Sequence, residues 1–424
     1  MLFSRAWLQD YIEEELPPAD ELALKLGLHS FEVEGVEVLD DDTILNIDVL
    51  PNRAHDALSY IGMAREIATV FSFTFKMPEM SFDVSDFSTS DYITLDVENP
   101  PLVPRALKKI VRGVQVEPSP TWLQERLRAI GQKPINNIVD ITNFVMYEFG
   151  QPVHAFDFEK LTKDKDGIAH IHIRGAQRGE SITMLDGSQY ELEEGMLVIA
   201  DDEKALDIGG VKGGIISGID ENTKTIMLSV CTFNASHIRR TSKSLGLRTD
   251  ASSRFEKELA PEMPPEAMHR LCHLIGEFVE GEEISKDFLD LYPRPLAPYK
   301  VGVTRDRLHK VLGADINNEE IESILQRLGF VYDKVIPKDM VVDEAVKHNG
   351  ATYMYGASVR GDAPRSFDCS SFVAYVYASA GVSIPRISID QYVYGESISK
   401  DELQAGDLVF SNSGNGAIRY ETVE

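Results

Sequence analysis

Between about residue 100 and residue 290 the chain holds no single repeat for long. Short strand-like runs at Ala169–Arg174, Met196–Ala200 and Thr225–Ser229 are divided by glycine turns, with few long helical stretches. That punctuation suits a mixed, largely antiparallel α+β domain, because each short strand buries its face only beside other strands. Helices are expected at Pro120–Ile130, with Trp122, Leu123 and Leu127 on one face, and at Pro261–Glu280.

Residues 1–75 read as a separate small α/β unit. A helix over Ala19–Leu26 is expected to close at Gly27, where glycine suits a left-handed cap. Phe31–Leu39 and Thr43–Leu50 alternate as strands and flank Asp40-Asp-Asp42, a hairpin pattern. Pro51-Asn52 breaks the second strand, and Ala57–Phe71 has amphipathic helical spacing. Met80–Asp91 is polar and reads as a linker. Pro293-Arg-Pro295 and Pro298 mark a further boundary. Beyond it Val301–Val303 reads as a short strand, and Arg305–Leu312 and Asn318–Leu328 as helices ended by Gly313 and Gly329. From about 335 the composition turns to Tyr, Ser and Ala. The expected organisation is multidomain α+β, with segments 1–75, 92–292, 295–330 and 331–424. After Ser411-Asn-Ser-Gly-Asn-Gly comes a strand-like Ala417–Val423, which reads as an unfinished sheet and hence as a fragment.

Charge narrows the function classes. With 42 basic and 69 acidic residues among 424, the net charge is −27, which disfavours nucleic-acid binding through the overall field. Any RNA contact needs a local basic patch. Cys231, Cys272 and Cys369 are too few and too scattered for a disulfide framework or a cysteine-rich zinc module. The first ten residues hold no apolar core of signal-peptide length, and no window approaches 18 apolar residues, so a cytoplasmic protein without membrane contact is expected.

Three segments carry candidate chemistry. In Asp140–Asp157, Thr142 and Asn143 are placed near a helix start, and His154 follows the loop Gly150-Gln-Pro152. Alone, this also reads as a capped helix and a structural histidine. Ile208–Gly214 sets Gly209-Gly210 and Gly213-Gly214 three residues apart, close enough to offer backbone amides to a ligand; two tight turns would serve as well. The spacing fits neither a Walker loop nor a dinucleotide fingerprint. His237–Arg248 holds Arg239, Arg240, Lys243 and Arg248 and no acid, a phosphate-contacting patch or an ordinary solvated helix face.

Together, Asp140–Asp157, Gly209–Gly218 and Arg239–Glu256 resemble the editing domain of the bacterial phenylalanyl-tRNA synthetase beta subunit. Thr43–Val70, with Asp48-Val-Leu-Pro-Asn-Arg53, is similar to that family's N-terminal domain, and Val301–Phe330 to the first half of a winged-helix-like domain. The resemblance implies an α2β2 ligase that joins phenylalanine to its tRNA using ATP and magnesium. Its aminoacylation site lies on the alpha subunit, and no metal ligand falls in this chain. It also implies a pocket that hydrolyses mischarged tyrosyl-tRNA, lined by Thr142, Asn143, His154, Thr249 and Ala251 over the glycine floor. One departure stands out. The family's glutamate that reads the tyrosine hydroxyl is replaced here by Ser229, so weakened proofreading is expected.

Residues 350–424 resemble an NlpC-type cysteine peptidase domain of papain-like α+β build, through Tyr355-Gly-Ala-Ser, Ser366–Val373, Ile384-Pro-Arg386 and Leu403–Phe410. Cys369, opening a helix over Ser370–Ala380, matches the nucleophile. All ten histidines precede Cys369, so the family's base, which follows that helix, is missing and a competent peptidase is not expected; His348 is the remote substitute. A cell-wall hydrolase reading predicts an export segment and explains only the last 75 or so residues. A free-standing editing or binding protein leaves residues 1–75 and 295–330 without a role.

Overall fold

The computed structural model describes residues 1–410 apart from 40–41, 185, 298–299, 333–336, 381, 383, 395–398, 400 and 402–403. The chain divides into two compact units, Met1–Ala297 and Pro298–Glu424. The expected strand at Ala417–Val423 and most of the Asp40–Asp42 turn lie outside the described residues.

The first unit begins with β1 (Leu2–Ser4), α1 (Arg5–Gln9), α2 (Ala19–His29), β2 (Val33–Leu39) and β3 (Asp42–Ile47), followed by α3 (Ala54–Ala57) and α4 (Tyr60–Phe71). β2 and β3 form the expected antiparallel hairpin, and β1 pairs on the other edge of β3. Gly27 does not end α2. Leu26 is buried, the helix runs on to His29, and closure comes from the Ser30 amide donating to Leu26 O at 2.8 Å. The single helix expected over Ala57–Phe71 is two, because the Ser59 side chain caps a new start by accepting from the Gly62 amide at 3.0 Å. Only glycine fits at 62: a Cβ there would lie 1.6 Å from Asp56 O.

Next come β4 (Ile93–Val97), β5 (Arg105–Arg112), α5 (Thr121–Ala129), α6 (Asn137–Phe149), β6 (Val153–Asp157), β7 (Ala169–Gly175), β8 (Ser181–Thr183) and β9 (Gln189–Glu191). They are followed by β10 (Leu197–Ala200), β11 (Ala205–Ile208), β12 (Lys212–Gly213), β13 (Thr225–Thr232), α7 (Ala235–Leu245), α8 (Asp250–Phe255), α9 (Met263–Phe278), β14 (Glu283–Ile284) and β15 (Leu289–Leu291). Two sheets dominate. One has the order β12-β11-β10-β7-β4, antiparallel except for the parallel pair β4–β7. The other runs β14-β5-β13-β6, with β15 also on β5, antiparallel throughout. This is the mixed, largely antiparallel α+β arrangement the punctuation implied.

The second sheet is covered on both faces, so its strands bury alternate residues in different cores. Leu107, Ala155, Leu228 and Val230 face the core that holds Ile141 and Val145 of α6 and Leu271 and Ile275 of α9. Ala106, Ile110, Phe156, Met227 and Cys231 face the core shared with Ile171, Ile173 and Ile199 of the other sheet. Residues 1–75 belong to the same packing: Trp7 stacks on Tyr60 at 3.7 Å and on Phe144 of α6 at 4.6 Å. Buried Glu148 of α6 joins Arg270 of α9 at 2.8 Å and accepts from Tyr11 OH at 2.8 Å.

The second unit holds α10 (Arg305–Leu312), α11 (Asn318–Arg327), α12 (Pro337–Lys347), the parallel pair β16 (Thr352–Tyr353) and β17 (Ser366–Phe367), α13 (Cys369–Ser379) and α14 (Ser388–Tyr394). Val301–Val303 is not a strand. Val301 and Val303 are 79% and 56% exposed, and no described strand pairs with them, so the alternation there buries nothing. Val341 of α12 packs against Val376 and Ala380 around α13.

Candidate functional site: a polar row between two sheets

Alternation along β5, β13 and β6 puts Lys108, Ser229 and His154 on the face turned toward the first sheet. They are also aligned across the strands, since Ser229 is the register partner of Lys108 on one side and of His154 on the other. The result is one row of three polar side chains inside an apolar layer. Lys108 has no exposed surface and Ser229 is 4% exposed. The Lys108 ammonium donates to Ser229 Oγ and to Cys231 Sγ, the latter at 3.6 Å.

His154 is half-buried, but its Nε2 is fully enclosed and meets no hydrogen-bond partner. Burial and the Lys108 charge lower its pKa to about 4, so the ring is neutral at pH 7. Above it lies Gly213 of β12. A Cβ at 213 would sit 2.6 Å from His154 Cε1 and 2.9 Å from Nε2, so glycine lets the imidazole edge approach the strand. Opposite Gly213 in the β11–β12 register is Asp207, 6% exposed, whose Oδ1 also has no partner. Burial pushes the Asp207 carboxyl well above its ordinary range, against the pull of Lys108.

The other expected site residues divide. His154, expected just after the loop Gly150-Gln-Pro152, lies in β6, where Val153 starts the pairing with Val230. Thr249 caps α8, accepting from the Ser252 amide at 3.0 Å, and its hydroxyl donates to Val211 O inside the glycine run at 2.8 Å. That bond ties α8, with Ala251 packed between both cores, to the loop carrying Gly209, Gly210, Gly213 and Gly214. Gly210 needs its left-handed φ of 73°, and a Cβ there would meet Ile238 and Phe233 at 2.9 Å. Gly214 and Gly209 likewise face Leu206 O and Leu197 at close range.

Thr142 and Asn143 are not brought to this row. They lie in the middle of α6 rather than at its start, because Asn136 caps the helix earlier by accepting from the Val139 amide at 2.9 Å. The Thr142 hydroxyl donates to Val139 O at 2.7 Å, and α6 packs on the opposite face of the sheet from His154.

Two residues escaped the sequence reading. Lys108 and Lys109 stand together in β5, and alternation sends neighbouring side chains to opposite faces, so a paired lysine inside an apolar strand was the available sign. Lys109, on the other face, reaches Asp287 O at 2.9 Å. Asp207 is a lone acid in an otherwise apolar run ahead of the glycines.

Arg239, Arg240, Lys243 and Arg248 are all exposed, the first three on α7, whose buried side carries Ile238, Thr241 and Ser242. In the second unit Cys369 is exposed and is the first residue of α13, capped by Asp368, which accepts from the Ser371 amide at 2.6 Å. Arg386 pairs with Asp368 at 2.9 Å and holds its carboxyl well below the usual range. His348 does not serve the thiol: its Nε2 bonds Glu344 at 3.0 Å and its ring packs on Phe367 and Tyr375. Among the described residues no group of three or more His, Cys, Asp or Glu is placed to hold a metal ion, and no helix is long and apolar enough to cross a membrane.

Residues 102–280 match the B3/4 domain family, and residues 350–420 match the NlpC/P60 family. The phenylalanine–tRNA ligase beta subunit of Carboxydothermus hydrogenoformans is 39% identical over 294 residues, 68% of this chain and 35% of the relative. That of Rhodopirellula baltica is 37% identical over 329 residues, 78% of this chain and 47% of the relative. This chain is a homologue of phenylalanine–tRNA ligase beta subunits. The Staphylococcus aureus beta subunit is 36% identical over 326 residues, 74% of this chain and 39% of the relative. The chain thus spans less than half the length of these curated relatives.

Proposed function

We propose that this chain acts as beta subunit of a phenylalanine–tRNA ligase, partnered by an alpha subunit in an α2β2 assembly, and that the interior between its two sheets proofreads mischarged tyrosyl-tRNA. The observation that carries the reading is the alignment of His154, Ser229 and Lys108 under Gly213, with the Thr249-capped helix latched to the same glycine run. Homology to curated beta subunits supports the partner, the tRNA and the cytoplasmic setting. ATP and magnesium belong to aminoacylation on the alpha subunit, and no ligand for either is assigned in this chain. Within the same proposal, residues 295–330 are the first half of a winged-helix-like domain and 331–424 an inserted NlpC-type module.

In this mechanism a water attacks the carbonyl carbon of the tyrosyl ester. The C–O bond to the terminal ribose breaks, and the tRNA hydroxyl and free tyrosine leave. Neutral His154 offers Nε2 as acceptor to that water; with a pKa of about 4 it orients the nucleophile rather than storing its proton. Arg239, Arg240 and Lys243 supply phosphate contacts on a chain whose net charge otherwise repels RNA. A neutral hydroxyl at 229 reads the tyrosine hydroxyl about 1–2 kcal/mol less well than a carboxylate, roughly tenfold in discrimination. Two experiments test this: recovery of an alpha subunit with the tagged chain, and tyrosyl-tRNA deacylation by the resulting assembly. Deacylation as fast as by a relative with glutamate at this position, and unchanged by Ser229→Ala, would refute the weakened-proofreading claim.

A further inference from the structure

The polar row contains more recognition chemistry than Ser229 alone. An ammonium has three protons to give and accepts none. At Lys108 two of them are directed at Ser229 Oγ and Cys231 Sγ, which leaves one for a further acceptor. Asp207 Oδ1 is the complement, an acceptor enclosed by protein with no donor. Both groups are more than nine-tenths buried, and a lysine and an aspartate held so are costly unless something completes them. They do not complete each other: the Lys108 charge acts on Asp207, yet the ammonium bonds Ser229 and Cys231 and no ion pair joins the two. His154, at the far end of the row, keeps a second buried polar atom without a partner, its Nε2.

We infer that Lys108 and Asp207 are the specificity-determining pair of this site, reading a para-hydroxyl on an aromatic aminoacyl group by donating to its oxygen and accepting its proton. The inference rests on the proofreading reading and deepens it, since it moves hydroxyl recognition from Ser229 to its neighbours. A phenolic hydroxyl is the chemistry that fits, because it accepts and donates through one atom. The backbones of Lys108 and His154 are two interstrand steps apart, roughly 9–10 Å, with Ser229 between them and the Lys108 ammonium reaching over to Ser229. In the inferred pose the hydroxyl meets the Lys108 ammonium beside Ser229 and the ester lies toward His154. Recognition by an ammonium also reverses the polarity of recognition by a carboxylate. A carboxylate welcomes any para donor, whereas Lys108 demands an acceptor.

The reversal gives a test that needs no substitution. The full chain is offered tRNA charged with tyrosine, with phenylalanine or with 4-aminophenylalanine, whose neutral amino group donates well and accepts poorly. The expected order is tyrosyl fastest, 4-aminophenylalanyl clearly slower because its amino group satisfies Asp207 but offers Lys108 no good acceptor, and phenylalanyl slowest. Equal hydrolysis of the tyrosyl and 4-aminophenylalanyl esters would overturn the assignment of Lys108. In variants, Lys108→Met is expected to lower the tyrosyl-to-phenylalanyl ratio of kcat/KM by about tenfold or more, and Ser229→Ala by no more than about threefold. The ratio separates recognition from damage, because a merely misfolded site loses both esters together. If the unaltered chain hydrolyses none of the three esters, the proofreading reading itself fails. If it hydrolyses the tyrosyl ester selectively and Lys108→Met does so as well, only this inference fails.

Discussion

At the scale of single residues, the decisive contact is the one between Gly213 and His154. Gly213→Ala puts a carbon 2.6 Å from His154 Cε1, so either the ring or the strand must shift. The expected cost is about 1–3 kcal/mol, read as a lower denaturation midpoint, with ester hydrolysis lost because the imidazole leaves its place. His154 also sets a pH dependence. Its folded pKa of about 4 lies below the ordinary 6.5, so the unfolded chain binds the extra proton first as pH falls. Stability is therefore full above pH 6.5 and declines toward pH 4, by about 3 kcal/mol over the window from this group. His154→Gln is expected to flatten that decline; urea titrations at pH 7 and pH 5 with the same slope for both proteins would count against it. His154 itself was legible from sequence. Its neutrality was not, because that depends first on burial between the sheets and then on the charge of Lys108, which is 46 residues away in the chain and joins the same row through the strand register.

At the scale of elements, what sequence could show was the strands whose alternation is local. The runs at 169–174 and 225–229 lie within strands of the structure, the run at 196–200 covers Leu197–Ala200, and the expected hairpin strands overlap Val33–Leu39 and Asp42–Ile47. Misreadings came where a cap or a partner outside the window decides. Asn136 rather than a later residue starts α6, Ser59 restarts α4, and Val301–Val303 pairs with no described strand. The cap of α8 offers a test of its own. Thr249→Val removes both the N-cap bond and the bond to Val211 O, so a loss of about 1–2 kcal/mol is expected, with a matching fall in ester hydrolysis. Thr249→Ser keeps both bonds and is expected to restore most of each; failure of that rescue would show that the hydroxyl is not the latch. On α7, changing Arg239, Arg240 and Lys243 to Gln is expected to weaken tRNA binding without altering the choice between tyrosyl and phenylalanyl esters. Its salt dependence should flatten by about 0.7 to 0.9 per phosphate contact removed.

For the whole molecule, residues 1–297 form one compact unit, with the N-terminal strands and helices sharing a core with α6 and α9. The sequence suggested a linker at 80–91, but that stretch is fastened to the sheet by the Ser85 amide on Ile284 O at 2.8 Å and by Thr89 on Asp287. Linker composition does not reveal such bonds, since the partners lie about 200 residues ahead. A chain ending at Ala297 is accordingly expected to unfold in one cooperative transition and to keep the ester hydrolysis of the full chain; two transitions, or loss of hydrolysis, would place part of the site beyond that point. The most direct measurement of where an aromatic ester sits is a crystal structure of the chain bound to a non-hydrolysable amide analogue of 3′-tyrosyl-adenosine. The ring is expected between the two sheets, its hydroxyl oxygen at the Lys108 ammonium and its carbonyl toward His154. A ligand seated elsewhere, or one with its hydroxyl turned away from Lys108, contradicts it.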